Sequence, residues 1–206
     1  FATVGGAPQD LSYKGEPTEL IIGNDNQVRE YASIHRGTPH GRAKTVIGDN
    51  NLLMAYIHVA HDCQLGNNII MANVATLAGH VTVGDNASIG GLVAVHQFCR
   101  IGTFSYIGGI SGLGLDVPPY VIVAGTRNRT RVSGINKIGL RRNGFSRETI
   151  KNLEQVFRII YRSPNLLLKD ALEQARSEFP DCQTVAEMVD FFESSKRGVI
   201  RRTEED

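Results

Sequence analysis

In the stretch "AYIHVAHDCQLGNN" (55–68), His58 and His61 stand three apart and Asp62 follows His61 directly. A histidine beside a carboxylate suits general-base chemistry. The carboxylate orients the ring and stabilises the imidazolium that forms when a proton is taken up. His80 and His96 follow downstream, with Gly79 and Gln97 as their neighbours. A glycine lets a reacting group approach the backbone, and its N–H can donate to a developing oxyanion. Base, carboxylate and bare N–H together suit acyl transfer from a thioester to a hydroxyl, with no covalent enzyme intermediate. Cys63, two residues after His61, is the rival nucleophile. It falls at a packing position that Cys99 repeats, so a structural role is expected for it.

The element that must hold these groups is written in the aliphatic residues. From Ile47 every sixth residue is aliphatic or Met: Leu53, Val59, Leu65, Met71, Leu77 and onward to Leu113. Four residues after most of these comes a small or β-branched residue, such as Ala75, Val81, Ala87 and Val93. Glycine often follows the aliphatic residue, where it is expected to ease a turn. A period of six is neither helical nor a strand alternation. It predicts a parallel β-helix with three flat faces per coil and 18 residues per coil. Ile22, Val28 and Ile34 keep the period in another phase, so an insertion is expected around "GTPHGRAK".

Coils stack about 4.8 Å apart. His61, Gly79 and Gln97 are spaced by 18 and form one column, with His58, His80 and His96 flanking it. One histidine alone reads as an ordinary core or surface residue. Four of the chain's six on one strip read as a site.

The pattern changes at "DVPPYVIVAG" (116–125), where paired prolines are expected to end the coil. A β-helix is therefore expected over 1–125, and a helical domain over 126–206. From Thr126 to Arg147 there are seven basic residues and no acid, either a docking segment or a solvated linker. One helix is expected from Ser146, a second around "LLLKDALEQARSEF", and a third starting at Thr184 with Glu187 in a capping box. "NRT" at Asn128 matches a glycosylation sequon but is read as noise.

Composition narrows the class. A net charge of +1 gives no global nucleic-acid signal, and three cysteines argue for a reducing compartment over a disulfide framework. No apolar run approaches the ~20 residues of a membrane span. The chain opens on Phe1 and mid-pattern, so a missing N-terminal segment is expected.

Several motifs carry a specific resemblance: "PQDLSYKGEPT", "IHRGT", "HVAHDC", "ATLAGHV", "AVHQFC", "GLRRNGFSRE" and the terminal "RGVIR". Over essentially its whole length the chain resembles the UDP-N-acetylglucosamine O-acyltransferases that use acyl-carrier-protein thioesters and begin lipid A synthesis in Gram-negative bacteria. Members start with several more coils than are present here.

The resemblance implies a left-handed coil, a homotrimer with sites between subunits, cytoplasmic location, and no cofactor beyond the carrier protein's phosphopantetheine arm. It implies transfer of an (R)-3-hydroxyacyl group to the glucosamine 3-OH, with His61 as base, Asp62 as its partner and Gly79 as oxyanion donor. Gln9, Asp10, His58, His80, His96, Gln97, Asn136 and Arg142 match substrate contacts. Ser12 stands where the family usually has a phosphate-binding Lys, and Lys14 is expected to take over. Asn143 and Ile138 also depart from the pattern. Gly91, Gly109 and Tyr106 are expected to shape the acyl groove, where glycine goes with longer chains.

Other hexapeptide proteins fit less well. Zinc-binding members use two histidines five residues apart. Here the successive spacings are three, nineteen and sixteen, so no metal is expected. The doubled "HVAHDC…AGHV" and the helical tail disfavour an acetyl-CoA-dependent acetyltransferase, and a non-catalytic trimeric scaffold is the remaining alternative. The residues leave open a 3-hydroxyl or a 3-amino acceptor.

Overall fold

The computed structural model describes residues 1–126 and 129–201; the Asn128 sequon lies outside them. All twelve aliphatic positions from Ile47 to Leu113 are buried in one core, and so are the small-residue positions Cys63, Ala75, Val81, Ala87, Val93 and Cys99. From Leu52 to Leu113 each hexad gives a two-residue strand whose second side chain points inward, and these strands stack in parallel into three sheets. The first sheet stacks His58–Val59, Thr76–Leu77, Ala94–Val95 and Gly112–Leu113. Register steps by 18, as in Thr76↔Ala94 and Val83↔Ile101. The fold is the left-handed parallel β-helix with a C-terminal helical domain.

Two excursions break the regular step. Ser33 pairs with His58 and Ile22 with Ile47, both 25 residues apart. That coil therefore carries seven extra residues, in the "GTPHGRAK" stretch where the hexads change phase. Thr3 pairs with Ser33, a step of 30, which releases a longer loop around residues 9–16. Both loops reach the candidate site.

Glycine does not make the turns. The corner residue of each hexad has positive φ and is not glycine: Tyr56 (62°), Asp62 (60°), Val74 (65°), His80 (64°), Phe98 (65°) and Ile110 (61°) are examples. The ladder overrides the local penalty, with corner N–H groups bonded one coil back, as in His80 to the His61 carbonyl (3.0 Å). The recurrent glycines answer to close packing instead. A Cβ on Gly48 would lie 2.7 Å from the Gly66 carbonyl oxygen, and one on Gly90 would lie 2.6 Å from the Gly109 nitrogen.

Pro118 and Pro119 do not end the coil. They form a tight corner against Gly102, and Val121–Ala124 then pairs in parallel with Tyr106–Ile107. Proline there gives up no ladder bond, because the strand starts after it. Arg131–Ile135 turns back antiparallel on Val121–Ala124, and a short helix α1 (Lys137–Arg142) follows. The basic stretch is thus strand and helix over these residues.

Helices α2 (Arg147–Tyr161), α3 (Leu168–Glu178) and α4 (Gln183–Glu193) form the tail, and the Ser146 hydroxyl caps α2 by accepting from the Thr149 N–H. α4 begins earlier than Thr184. Its N-cap is Cys182, which makes no side-chain cap bond, and Glu187 accepts from the Tyr120 hydroxyl instead of closing a capping box. α4 docks on the coil through Arg100, whose guanidinium lies 4.3 Å from the Phe191 ring centre and donates to Ser194 Oγ (3.0 Å).

Candidate active site

His61, Asp62, Gly79 and His80 meet at one corner of the coil, where the first sheet turns toward the second. Asp62 is wholly buried. His61 Nδ1 lies 2.8 Å from Asp62 Oδ2. An ionised carboxylate only accepts, so a hydrogen sits on Nδ1, and in the neutral ring Nε2 carries the lone pair. Burial pushes the Asp62 carboxyl upward, but hydrogen bonds from Thr38, His61 and the Arg42 N–H outweigh it and hold it below the usual carboxylate range.

Gly79 lies directly against the His61 ring. A Cβ there would be 2.6 Å from His61 Cε1 and 2.7 Å from Nε2, so only glycine fits beneath this ring position. At another corner the equivalent backbone donors are consumed: Asp49 N–H donates to Asn67 Oδ1 (2.7 Å) and Asn67 N–H to Asp85 Oδ1 (2.8 Å). The Gly79 N–H donates to none of the described residues.

The 9–16 loop brings in Asp10, whose Oδ2 is 4.0 Å from His61 Nε2. His61 Nε2 therefore faces a second carboxylate on the side of the ring away from Asp62. Ser12 does not face outward toward a phosphate. Its N–H and hydroxyl both donate to Asp10 Oδ1, at 2.7 and 2.6 Å, and hold that carboxyl below its ordinary range. Lys14 bends its ammonium back onto the Leu11 carbonyl (3.0 Å), and Gln9 is exposed nearby.

The other histidines surround this centre. His80 stands edge-on to His61 with ring centres 5.1 Å apart, and its other neighbour is Phe98, stacked at 4.5 Å. Burial lowers the His80 pKa and Asp62 only partly restores it, which favours the neutral ring near pH 7. His58 Nδ1 pairs with Ser33 Oγ at 2.7 Å, and burial depresses its pKa too. His96 turns to the C-terminal tail, where Arg197 approaches its Nδ1 at 2.8 Å. Gln97 is exposed one coil beyond Gly79.

Asn136 and Arg142 are not part of this cluster within the chain. Asn136 caps α1 and its amide donates to the Phe104 carbonyl (2.9 Å), while Arg142 is exposed on the last turn of that helix. Gly91 and Gly109 stack as expected at another corner: a Cβ on Gly109 would be 3.2 Å from the Gly91 carbonyl oxygen. Tyr106 is exposed on the adjoining face.

Cys63 is inert as a nucleophile. It is fully buried, its thiol donates to the Ala78 carbonyl (3.2 Å), and burial pushes its pKa up to about 12. Potential ligand atoms of His61, Asp62 and His80 lie within 4.8 Å of one another, close enough to share a cation. The Asp62 oxygens, however, already accept from Thr38, Arg42 and His61, so the carboxylate serves as a hydrogen-bond hub.

Thr38, Arg42 and Arg197 are contacts that the motif reading did not single out. The break in hexad phase pointed to the first two.

A cleft of about 640 Å³ opens beside His80 and Phe98, and its rim carries Arg42, Arg100, Lys196 and Arg197. No helix among the described residues is long and apolar enough to cross a membrane.

The family model described as UDP N-acetylglucosamine O-acyltransferase, domain 2, matches residues 116–200. An acyl-[acyl-carrier-protein]–UDP-N-acetylglucosamine O-acyltransferase of Halorhodospira halophila is 52% identical over 98% of this chain and 77% of its own length. The enzyme of that name from Burkholderia orbicola is 47% identical over the same shares. The structure of the Francisella novicida UDP-N-acetylglucosamine acyltransferase superposes with a TM-score of 0.94 at 37% identity, covering 98% of this chain and 74% of that one. The Acinetobacter baumannii counterpart gives 0.92 at 45% identity, covering 98% and 77%. A half-buried histidine on a buried carboxylate, over a bare glycine, on a three-sided coil with a helical tail, thus occurs in a chain that belongs to the acyl-[acyl-carrier-protein]–UDP-N-acetylglucosamine O-acyltransferase family.

Proposed function

We propose that the protein moves an (R)-3-hydroxyacyl group from acyl carrier protein to the glucosamine 3-OH of UDP-N-acetylglucosamine, with His61 as general base. The observation that carries this reading is the His61 ring paired with Asp62 through Nδ1 (2.8 Å), with Nε2 turned toward Asp10 (4.0 Å) and the ring directly against Gly79. His61 Nε2 takes the proton of the sugar hydroxyl as its oxygen attacks the thioester carbonyl. The new C–O bond places negative charge on the carbonyl oxygen, and the unengaged Gly79 N–H donates to it. The C–S bond then breaks, and the departing thiolate takes the proton from His61. The products are the sugar ester and the free carrier thiol, with no acyl-enzyme and no further cofactor.

The basic cleft beside His80 suits anionic partners, since both the nucleotide diphosphate and the carrier's phosphopantetheine are negatively charged. Asp10, His58, His80, His96, Gln97 and Gln9 serve as contacts to the sugar and the acyl donor. Asn136 and Arg142, remote from the cluster within one chain, would act from a neighbouring subunit of a homotrimer. The exposed apolar column Tyr56, Val74, Leu92 and Ile110 offers such an assembly a surface to bury. The reaction is placed in the cytoplasm, at the start of lipid A synthesis.

Offered 3-hydroxyacyl-carrier protein and acetyl-CoA together with UDP-N-acetylglucosamine, the protein consumes the carrier thioester and leaves acetyl-CoA intact. Consumption of acetyl-CoA in its place overturns the donor assignment.

The stacked Gly91 and Gly109 leave a strip nearly free of side chains, which fits a hydrocarbon tail. Burial there contributes roughly 0.8 kcal/mol per CH₂. Gly109→Met is expected to shift preference toward shorter chains while short-chain transfer stays near normal. Unchanged selectivity in a donor panel would move the groove elsewhere.

Lys14 is the candidate for the phosphate contact that Ser12 lacks. Lys14→Ala is expected to raise the KM for UDP-N-acetylglucosamine more than Ser12→Ala does. The opposite order in steady-state kinetics would assign nucleotide affinity to the Ser12–Asp10 turn.

A further inference from the structure

We propose that the seven-residue excursion over 37–43 is a carboxylate cage, and that its Thr38 is a positioning residue for the His61–Asp62 pair. The proposal rests on the general-base reading above and goes beyond it, because it assigns a function to the one stretch that breaks the hexads. Most coils close in 18 residues; this coil uses 25.

What the extra residues build is specific. The Thr38 N–H lies 3.1 Å from each Asp62 oxygen, and its hydroxyl donates to Oδ2 at 2.7 Å. The Arg42 N–H donates to Oδ1 at 2.7 Å, and the Arg42 guanidinium returns to the Asp62 carbonyl at 2.7 Å. Thr38 is 1% exposed and Asp62 0%, so no solvent competes.

The loop is shaped tightly around the carboxylate. A Cβ on Gly41 would sit 2.5 Å from Asp62 Cγ and from both of its oxygens. The Gly41 and Ala43 N–H groups both return to the Thr38 carbonyl, at 3.1 and 3.0 Å, and Ala43 adopts a φ of 57° to close the loop.

An ionised carboxylate accepts about four hydrogen bonds. Thr38 supplies two and Arg42 one, which leaves one direction for His61 Nδ1–H. The cage therefore does two things. It keeps Asp62 charged although the residue is fully buried, and it leaves His61 as the only remaining partner, which fixes the ring's tautomer. His61, His80 (3.9 Å from Oδ2) and Arg42 are the titratable or charged groups that face Asp62, with Asp10 beyond His61.

Thr38→Val keeps the side chain's shape and removes one charge-assisted donor. The expected result is a roughly tenfold lower kcat with KM little changed. The Asp62 carboxyl is held low by its donors, so it takes up a proton at higher pH when one of them is lost. Thr38→Ser, which retains the hydroxyl, is expected to behave as the unaltered protein.

The same shift can be read without catalysis. In a His61→Ala background, ¹³C NMR of the aspartate carboxyls is expected to show the Asp62 midpoint higher when Thr38 is Val. If His61→Ala proves fully active, the general-base reading fails while this titration still decides the cage. An unmoved Asp62 midpoint overturns the cage. A raised midpoint with unchanged kcat, or Thr38→Ser as impaired as Thr38→Val, overturns the positioning role of Thr38.

Discussion

His61→Ala is expected to slow acyl transfer by roughly 10²–10⁴, the range associated with losing a positioned general base. The fold should survive, because the ring lies at a corner outside the row of inward residues and is not part of the coil's packing core. Affinity for UDP-N-acetylglucosamine should change little, since the ring's main partners are Asp62, His80 and Gly79. A near-normal rate in single-turnover experiments would remove His61 from its role. Loss of the folded state, read by circular dichroism, would show that the ring contributes to packing instead.

Gly79→Ala is the second large expected effect, and it acts through geometry. The new methyl would stand 2.6 Å from His61 Cε1, well inside contact distance, while the Asp62 bond restrains the ring from swinging away. The ring must tilt, which carries Nε2 off the line to the sugar hydroxyl. A misplacement of about 1 Å costs on the order of 100-fold in rate. The backbone N–H is retained, so the loss measures positioning of the base and not deletion of the oxyanion donor. Steady-state kinetics should show the loss in kcat. Full activity would mean the ring has room that the coil does not offer.

The coil was legible in the sequence because its interior admits little variation. Twelve positions from Ile47 to Leu113 line a space only three side chains wide, and each must be aliphatic or Met. The His61–Gly79 contact was legible for the same reason: a fixed 18-residue step turns sequence spacing into a vertical neighbour. The corner conformation recurs every six residues, but no residue type marks it, so it was not legible. Val74 and Ile110 hold positive φ against their intrinsic preference, because ladder bonds from Val74 N–H to the Ala55 carbonyl (3.1 Å) and from Ile110 N–H to the Gly91 carbonyl (2.8 Å) fix the corner.

The prolines misled in the other direction. Pro118 and Pro119 precede the corner residue Tyr120, whose N–H still donates to the Thr103 carbonyl (2.9 Å), so the third sheet gains Val121–Ala124 beyond them. Glu187 looked like a capping residue until Tyr120, 67 residues away, claimed its carboxylate. The cage around Asp62 was marked only by its disturbance of the hexads. Its contacts join residues 20 and 24 apart in the chain, a separation that belongs to no repeat.

The most direct test of the account is mass spectrometry of the product formed from UDP-N-acetylglucosamine and 3-hydroxyacyl-carrier protein, with His61→Ala run alongside. The account predicts a nucleotide sugar heavier by one 3-hydroxyacyl group, esterified at the glucosamine 3-oxygen, and formed at a rate that collapses in the variant. An unmodified sugar, an acyl group on another atom, or equal yield from the variant would contradict it.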